Sequence, residues 1–234
     1  MEYDFNVKVI DNVLTPQELG MVYDAIREDK TNEYIMDSYS QKITDFPMPK
    51  EVEDRIIRVA TDVYGYDDLQ IKAYQFASYR NYYDSEGMRT VPILSPHWDD
   101  AFDTPRLTFD LQVGGNTTWG ITVDGHGTYD LENNQAICFG GTHQIHWRPH
   151  KLFEDNEFIE MIFVHLDSKK AEEIDRFNPV MADKEPSLYE AYLAEIDNDP
   201  EEFYGPNTKN IVGMTEYTAR GSGQVEESDN NGDS

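Results

Sequence analysis

The sequence has almost no cysteine, few basic residues and no long apolar run. Cys138 is the single cysteine among 234 residues, which excludes an intramolecular disulfide and a zinc site built from several thiolates. A reducing, cytoplasmic location is therefore expected. No signal-peptide pattern opens the chain, and no segment has the length and hydrophobicity needed to cross a bilayer. We therefore expect a soluble protein with no membrane partner.

Basic residues are scarce, since 19 Lys and Arg stand against 46 Asp and Glu and give a formal net charge of −27 at pH 7. A field of this sign repels phosphate backbones, so no nucleic-acid partner is expected. Aromatic residues are plentiful at 12% of the chain, with 15 Tyr and 11 Phe. This composition favours a packed domain over a disordered one.

Two amphipathic helices are predicted before the main run of strands. A capping box at residues 15–18 begins the first helix, and helical spacing of apolar residues continues to about Arg27. The second helix is predicted to run from after Pro49 to Tyr64, with Gly65 as its C-cap. We expect both helices to cover one face of a sheet as a buttress.

The remaining pattern is one of short strands separated by Gly, Asn, Asp and Pro, as in a sandwich or barrel. The predicted strands cover residues 5–13, 71–79, 106–113, 119–123, 136–139 and 158–165. The predicted fold is mainly β with flanking helices, an α+β arrangement, in one domain over residues 1–167. Residues 168–218 are predicted to form an acidic helical extension, with helical pieces at 168–176 and 187–196, and residues 219–234 a disordered tail.

A metal-binding pattern occurs in two separate segments. His97 and Asp99 are two residues apart, so on an extended backbone their side chains project to the same side. About fifty residues later, the segment 140–148 offers His143 or His146 as a third ligand. Two histidines and one carboxylate on one side of a metal leave three positions open, an arrangement used by non-haem iron(II) oxygenases.

The ordered blocks resemble the double-stranded β-helix 2-oxoglutarate/iron(II) dioxygenases, particularly the prolyl-4-hydroxylase-like branch and short phage-type members. The resemblance covers most of residues 5–167 and is carried by LSPHWD at 94–99, RLTFDLQ at 106–112, WGITVDG at 119–125, QAICFGGT at 135–142, HWR at 146–148 and FVHL at 163–166. It implies a jelly-roll, cupin-like barrel that binds iron(II) and uses 2-oxoglutarate and O2, with ascorbate as an optional reductant.

The resemblance also implies a metal-ligand set, His97, Asp99 and His146, which would be the catalytic residues. His146 is preferred to His143 because short members place the ligand in a Gly-Thr-x-x-x-His-Trp-Arg run. The other histidines, His126, His150 and His165, are interpreted as surface residues or as supports behind the ligands.

The residues expected to bind the co-substrate depart from the family pattern. Many relatives carry an Arg nine or ten residues after the second histidine, whereas this chain has Asp155 and Asn156 there. Arg148 is therefore the first candidate to bind the far carboxylate of 2-oxoglutarate, since a guanidinium pairs both oxygens of a carboxylate. The further candidates for co-substrate binding are Lys151, Arg106, Tyr79, Thr108 and Gln112.

The function implied by the resemblance is hydroxylation of a peptidyl or free amino acid, with succinate and CO2 as products. One alternative is a catalytically inactive β-barrel with a binding or structural role, of the phage type. Another is a cupin-like metalloenzyme that does not use 2-oxoglutarate. The sequence does not give the substrate, a small molecule or peptide, nor the position oxidised, the oligomeric state or the source.

Overall fold

The structure of the chain is a computed structural model. It describes residues 7–28, 35–36, 41–44, 46–83, 86–87, 89–90, 94–97, 107–142, 144–148 and 151–168, together with Pro92 and Asp99. The predicted extension beyond Ser168 and the predicted tail lie outside these residues. Within the described ranges, no helix has both the length and the hydrophobicity to cross a membrane.

Two helices and a series of short strands make up the described part of the chain. The helices are α1 (Pro16–Glu28) and α2 (Lys50–Tyr64). The strands are β1 (Lys8–Ile10), β2 (Ile35–Met36), β3 (Gln41–Thr44), β4 (Gln70–Arg80), β5 (Tyr82–Tyr83), β6 (Arg89–Thr90), β7 (Leu94–His97), β8 (Leu107–Gly115), β9 (Ile121–Val123), β10 (Gly127–Tyr129), β11 (Gln135–Phe139), β12 (His146–Arg148) and β13 (Phe158–Asp167).

The predicted helix signals are confirmed. At the start of α1 the Glu18 N–H donates to Thr15 Oγ1 at 3.2 Å, and the Thr15 N–H donates to Glu18 Oε2 at 2.7 Å, which is a reciprocal capping box. At the end of α2 Gly65 adopts a left-handed conformation with φ of 75°, and its N–H donates to the Thr61 carbonyl. A residue with a side chain would be strained there, so Gly65 ends the helix at low cost.

The strands form two main antiparallel sheets. The larger sheet has the order β1-β11-β8-β13-β4-β3-β2, the smaller has the order β10-β9-β12-β7, and β5 pairs with β6 in a separate hairpin. Most neighbours in these orders are not consecutive in the chain, so the chain crosses repeatedly between the sheets. The mainly β prediction is therefore confirmed, together with the two helices.

Two apolar clusters hold the layers together. The outer core, between the helices and the larger sheet, includes Val22 of α1, Ile56 of α2 and Phe109 of β8. The inner core, between the two sheets, includes Val123 of β9 and Met161 of β13. The larger sheet is thus buried on both faces, and the residues of the candidate site come from both sheets.

The strand predictions need corrections at their ends. The predicted strand 119–123 begins only at Ile121, and the Trp119 carbonyl accepts a hydrogen bond from the Arg148 side chain. The predicted strand 158–165 continues to Asp167, paired with β4 along its whole length. Strands β2, β3, β5, β6 and β10 were not predicted.

Candidate functional site

The fold brings the two predicted metal-binding segments together. Strand β12 pairs with β7 in an antiparallel manner, and His146 lies directly opposite His97. Directly opposed residues in such a pair have Cα atoms about 4.5–5.5 Å apart. For His97 the description covers the backbone pairing alone, while His143 lies outside the described residues.

Asp99 is fixed by contacts from two other segments. Its backbone N–H donates to the Gly141 carbonyl at 2.9 Å, and Thr108 Oγ1 donates to its carboxylate Oδ2 at 2.8 Å. The other oxygen, Oδ1, lies 3.8 Å from Nε2 of His146. The carboxylate and the imidazole therefore face each other with a separation that a shared cation can bridge.

The tautomer of His146 is set by its second ring nitrogen. Nδ1 lies 3.0 Å from the Gln144 carbonyl, which can only accept, so Nδ1 carries the proton and donates. This leaves the lone pair of the neutral ring on Nε2, the nitrogen that faces Asp99. The ring is 4% exposed and packs edge-on against Phe139, with centroids 4.7 Å apart. His146 is therefore oriented as a metal-binding histidine requires.

Thr108→Val should weaken iron(II) binding about tenfold, because valine keeps the shape of threonine and removes the hydroxyl that orients the Asp99 carboxylate. Loss of a partner behind a metal ligand typically costs 10–100-fold in affinity. Thr108→Ser is the matched control and should retain the affinity of the native chain. Titration of the protein with iron(II) under anaerobic conditions measures both values. Equal affinities for the two variants would remove Thr108 from the site.

Gly141→Ala should disrupt the site without altering the charge of any group. A Cβ at this position would collide with the Asp99 carboxylate and the Thr108 hydroxyl. We expect a loss of about 1–3 kcal/mol in the free energy of unfolding and weaker iron(II) binding. Gly20→Ala in α1 is the control, because its Cβ would meet nothing within 4 Å and should add about 0.5–1 kcal/mol of stability. Urea unfolding of both variants checks this prediction, which fails if Gly141→Ala is as stable as the native chain.

His165, which the sequence analysis interprets as a surface residue or a support behind the ligands, is a neighbour of Asp99. It lies on β13 opposite Thr108, and its Nδ1 is 3.7 Å from Asp99 Oδ2. The Asp99 carboxylate therefore has an imidazole on each side. The sequence signal that places His165 on the inner face is the alternation along β13, in which Met161, Phe163 and His165 share one face.

Within the described residues, no group of three or more His, Cys, Asp or Glu side chains is arranged to hold a metal ion. Asp99 and His146 supply two of the three predicted ligands. The third predicted ligand, His97, lies opposite His146 in the backbone pairing of β7 with β12.

Arg148 is a buried cation in the inner core. Its side chain is 1% exposed, and its guanidinium group lies over the rings of Trp119 and Tyr79 at 5.1 and 5.9 Å from their centroids. Nη1 donates to the Trp119 carbonyl, and Nη2 lies 3.8 Å from the Met161 sulfur. Within the part of the chain that the structure describes, the buried Nε has no hydrogen-bond partner. Burial lowers the pKa of Arg148, with Tyr79 and then Asp110 opposing that shift.

The other predicted co-substrate residues lie in different surroundings. Lys151 Nζ donates to the Thr118 carbonyl at 2.9 Å and forms an ion pair with Glu157 at 3.1 Å. Gln112 is buried and donates to Asn133 Oδ1 at 3.2 Å. Tyr79 is 1% exposed and packs against Trp119, and Arg106 lies outside the described residues.

Asp110 is a buried polar residue that the sequence analysis did not name as a site residue. It is 4% exposed, and its Oδ1 has no hydrogen-bond partner. Burial raises the pKa of this carboxyl well above its usual range, the Asp99 charge raises it further, and Arg148 opposes the shift. The inner core therefore holds Asp110 within the field of both the Asp99 carboxylate and the buried Arg148 guanidinium group.

Several solved structures share the fold. The non-heme alpha ketoglutarate dependent epimerase SnoN from nogalamycin biosynthesis superposes with a TM-score of 0.52 at 13% identity, covering 70% of this chain and 78% of that chain. AviO1 from Streptomyces viridochromogenes Tue57 gives 0.50 at 10% identity, covering 72% and 92%. The viral collagen prolyl hydroxylase of Paramecium Bursaria Chlorella virus-1 gives 0.46 at 16% identity, covering 69% and 96%.

No family model and no curated protein matches the sequence. The likeness is therefore one of fold. At that level, the resemblance to 2-oxoglutarate/iron(II) oxygenases that the sequence predicted is confirmed.

Proposed function

We propose that the chain is an iron(II)- and 2-oxoglutarate-dependent oxygenase whose two sheets form a double-stranded β-helix barrel. The observation that carries the proposal is the presence, in one inner core, of a carboxylate–imidazole pair and a buried arginine that makes no ion pair with a described residue. Chain crossings between two antiparallel sheets, and the shared fold with SnoN, support the barrel.

The donor set fits iron(II). A carboxylate and imidazoles are ligands that non-haem iron(II) accepts, and three of them on one side leave positions for a bidentate co-substrate and for dioxygen. Asp99 and His146 would hold the metal, with His97 as the third ligand across the β7–β12 pair. Thr108 and the Gln144 carbonyl would hold two of these ligands in position.

The surroundings of Arg148 fit the far carboxylate of 2-oxoglutarate. A charge removed from water is costly unless it is paired, and none of the described carboxylates forms an ion pair with Arg148. A bound carboxylate would supply that pair and accept from the unpartnered Nε. Lys151 is less suited, because Glu157 already neutralises it. Arg148 therefore takes the role that a later arginine has in many relatives.

When bound, iron(II) and 2-oxoglutarate supply the oxidation of a substrate C–H bond by dioxygen, with succinate and CO2 as products. The chain would contribute the metal ligands, the Arg148 cation that orients the co-substrate, and apolar surroundings that exclude water. The Tyr79 and Trp119 rings pack edge-on against each other, and the buried guanidinium group lies over both, which excludes water from it. This exclusion strengthens the pairing between the guanidinium group and a carboxylate.

The substrate class that we favour is a peptidyl or free amino acid, which rests on the resemblance to prolyl hydroxylases. Two other functions would use the same fold differently. A catalytically inactive barrel would bind neither iron(II) nor 2-oxoglutarate at this site. A cupin-like metalloenzyme would bind the metal and ignore 2-oxoglutarate.

The test is the conversion of 2-oxoglutarate to succinate by the full chain, with iron(II) present, with iron(II) removed by a chelator, and with the His146→Ala variant. We expect iron-dependent succinate formation that is lost with the chelator and with His146→Ala. Metal binding without turnover and without co-substrate binding would favour the cupin-like alternative. The absence of both metal binding and co-substrate binding would favour the inactive barrel.

A further inference from the structure

Strand β8 presents three polar side chains to the inner core. Its apolar residues Leu107, Phe109 and Leu111 belong to the outer core. Because side chains alternate along a strand, Thr108, Asp110 and Gln112 project to the opposite face. All three are buried there, at 2–4% exposure. The inner face of β8 is therefore a polar strip inside an apolar core.

The two ends of this strip face the two ends of the proposed co-substrate site. Thr108 at one end donates to Asp99. Gln112 at the other end lies directly opposite Met161, whose sulfur is 3.8 Å from Arg148 Nη2. Asp110 lies between them, about 7 Å along the strand from each. The charges of both Asp99 and Arg148 act on its carboxyl group, so Asp110 is close to both ends of the proposed co-substrate site.

We propose that the Asp110 carboxyl group is a further co-substrate contact, which hydrogen-bonds to the 2-oxo acid between its metal-bound end and its Arg148-bound end. This inference rests on the proposed function. The supporting observation is the buried Oδ1 of Asp110, which faces the interior and has no hydrogen-bond partner among the described residues. A buried polar atom of this kind is uncommon, and a ligand that pairs with it accounts for its retention.

The protonation of Asp110 decides what it offers to the ligand. Burial and the nearby Asp99 charge raise the pKa of Asp110 well above its usual range, which favours the neutral carboxyl group. A neutral carboxyl carries an O–H donor, whereas an ionised one only accepts and would repel an anionic co-substrate. Asp110 therefore acts as a donor to a carboxylate oxygen of the co-substrate without adding negative charge beside Arg148.

The matched variants are Asp110→Asn, which keeps a donor of the same shape, and Asp110→Leu, which removes it. Binding of 2-oxoglutarate to the manganese(II)-loaded full chain under anaerobic conditions is measured by calorimetry. Loss of a hydrogen bond to a charged group predicts roughly 10–100-fold weaker binding for Asp110→Leu and a change of less than about threefold for Asp110→Asn. Unchanged affinity in Asp110→Leu overturns the inference. So does a tenfold gain in Asp110→Asn, which would mean that the native group is an ionised counter-charge to Arg148.

A second readout needs only the native chain and the isosteric variant. Infrared difference spectra on addition of 2-oxoglutarate should show the carbonyl band of a protonated carboxyl group shifting, and the shift should be absent in Asp110→Asn. No shift in the native chain overturns the inference even if Asp110→Leu does not fold. The two proposals fail separately, because a native chain that binds no 2-oxoglutarate refutes the proposed function, whereas native binding with no Asp110 response refutes only this contact.

Discussion

Asp99→Ala and His97→Ala are each expected to abolish stoichiometric iron(II) binding. With one ligand removed, the remaining two hold a divalent ion poorly. The affinity for iron(II) should therefore fall by more than about a hundredfold, which exceeds the usual effect of losing a residue that only hydrogen-bonds to a ligand. Asp99 is also the residue on which the Thr108 hydroxyl and the His146 imidazole converge. Iron(II) titration with metal analysis of the dialysed protein measures the effect.

The control for Asp99 is Asp124→Ala, which removes one exposed carboxylate and changes the net charge of −27 by the same amount. It should bind one iron(II) with native affinity. Retention of stoichiometric iron by Asp99→Ala would show that the metal binds elsewhere. An equal loss in Asp124→Ala would mean that the acidic surface as a whole, rather than this residue, attracts the ion.

Arg148→Met is expected to separate co-substrate binding from folding. Methionine has a similar length and no charge, and replacing a buried charge by an apolar side chain is often neutral or stabilising, so the free energy of unfolding should stay the same or rise by about 1–2 kcal/mol. The affinity for 2-oxoglutarate should fall at least about 30-fold, because removing one partner of a buried charge pair costs ~2 kcal/mol or more. Iron(II) binding should be unchanged.

Lys151→Met is the matched control, since Lys151 was also a candidate for the co-substrate carboxylate but forms an ion pair with Glu157. It should bind 2-oxoglutarate as the native chain does. The opposite result, with Lys151→Met defective and Arg148→Met unaffected, would transfer the role to Lys151. A large loss of stability in Arg148→Met with native co-substrate affinity would make the arginine a structural residue.

The helices were predictable to within one residue because their end signals are local. The capping box at Thr15 and the left-handed Gly65 involve atoms no more than four residues apart. Strand ends were less predictable, since they depend on distant partners. Strand β13 extends to Asp167 because β4 pairs with it to that point, and β9 spans Ile121–Val123, where it pairs with β10 and β12.

The spacing of His97 and Asp99 predicts that their side chains share one side, and this stays a prediction. The burial of polar residues, by contrast, could not be read from such alternation. The pattern of Leu107 to Val113, apolar and polar in turn, is typical of a strand with one solvated face. Here the smaller sheet covers that face, so Asp110 becomes a buried carboxyl group. The surroundings of Arg148 likewise come from three separate parts of the chain, at Tyr79, Trp119 and Met161.

The most direct test is a crystal structure of the full chain with manganese(II) and N-oxalylglycine, an unreactive analogue of 2-oxoglutarate, with the metal located by its anomalous scattering. We predict one metal ion bound by Asp99, His146 and His97, and the far carboxylate of the analogue paired with the Arg148 guanidinium group. A metal ion bound away from Asp99, or an analogue whose carboxylate does not reach Arg148, would contradict the proposed oxygenase.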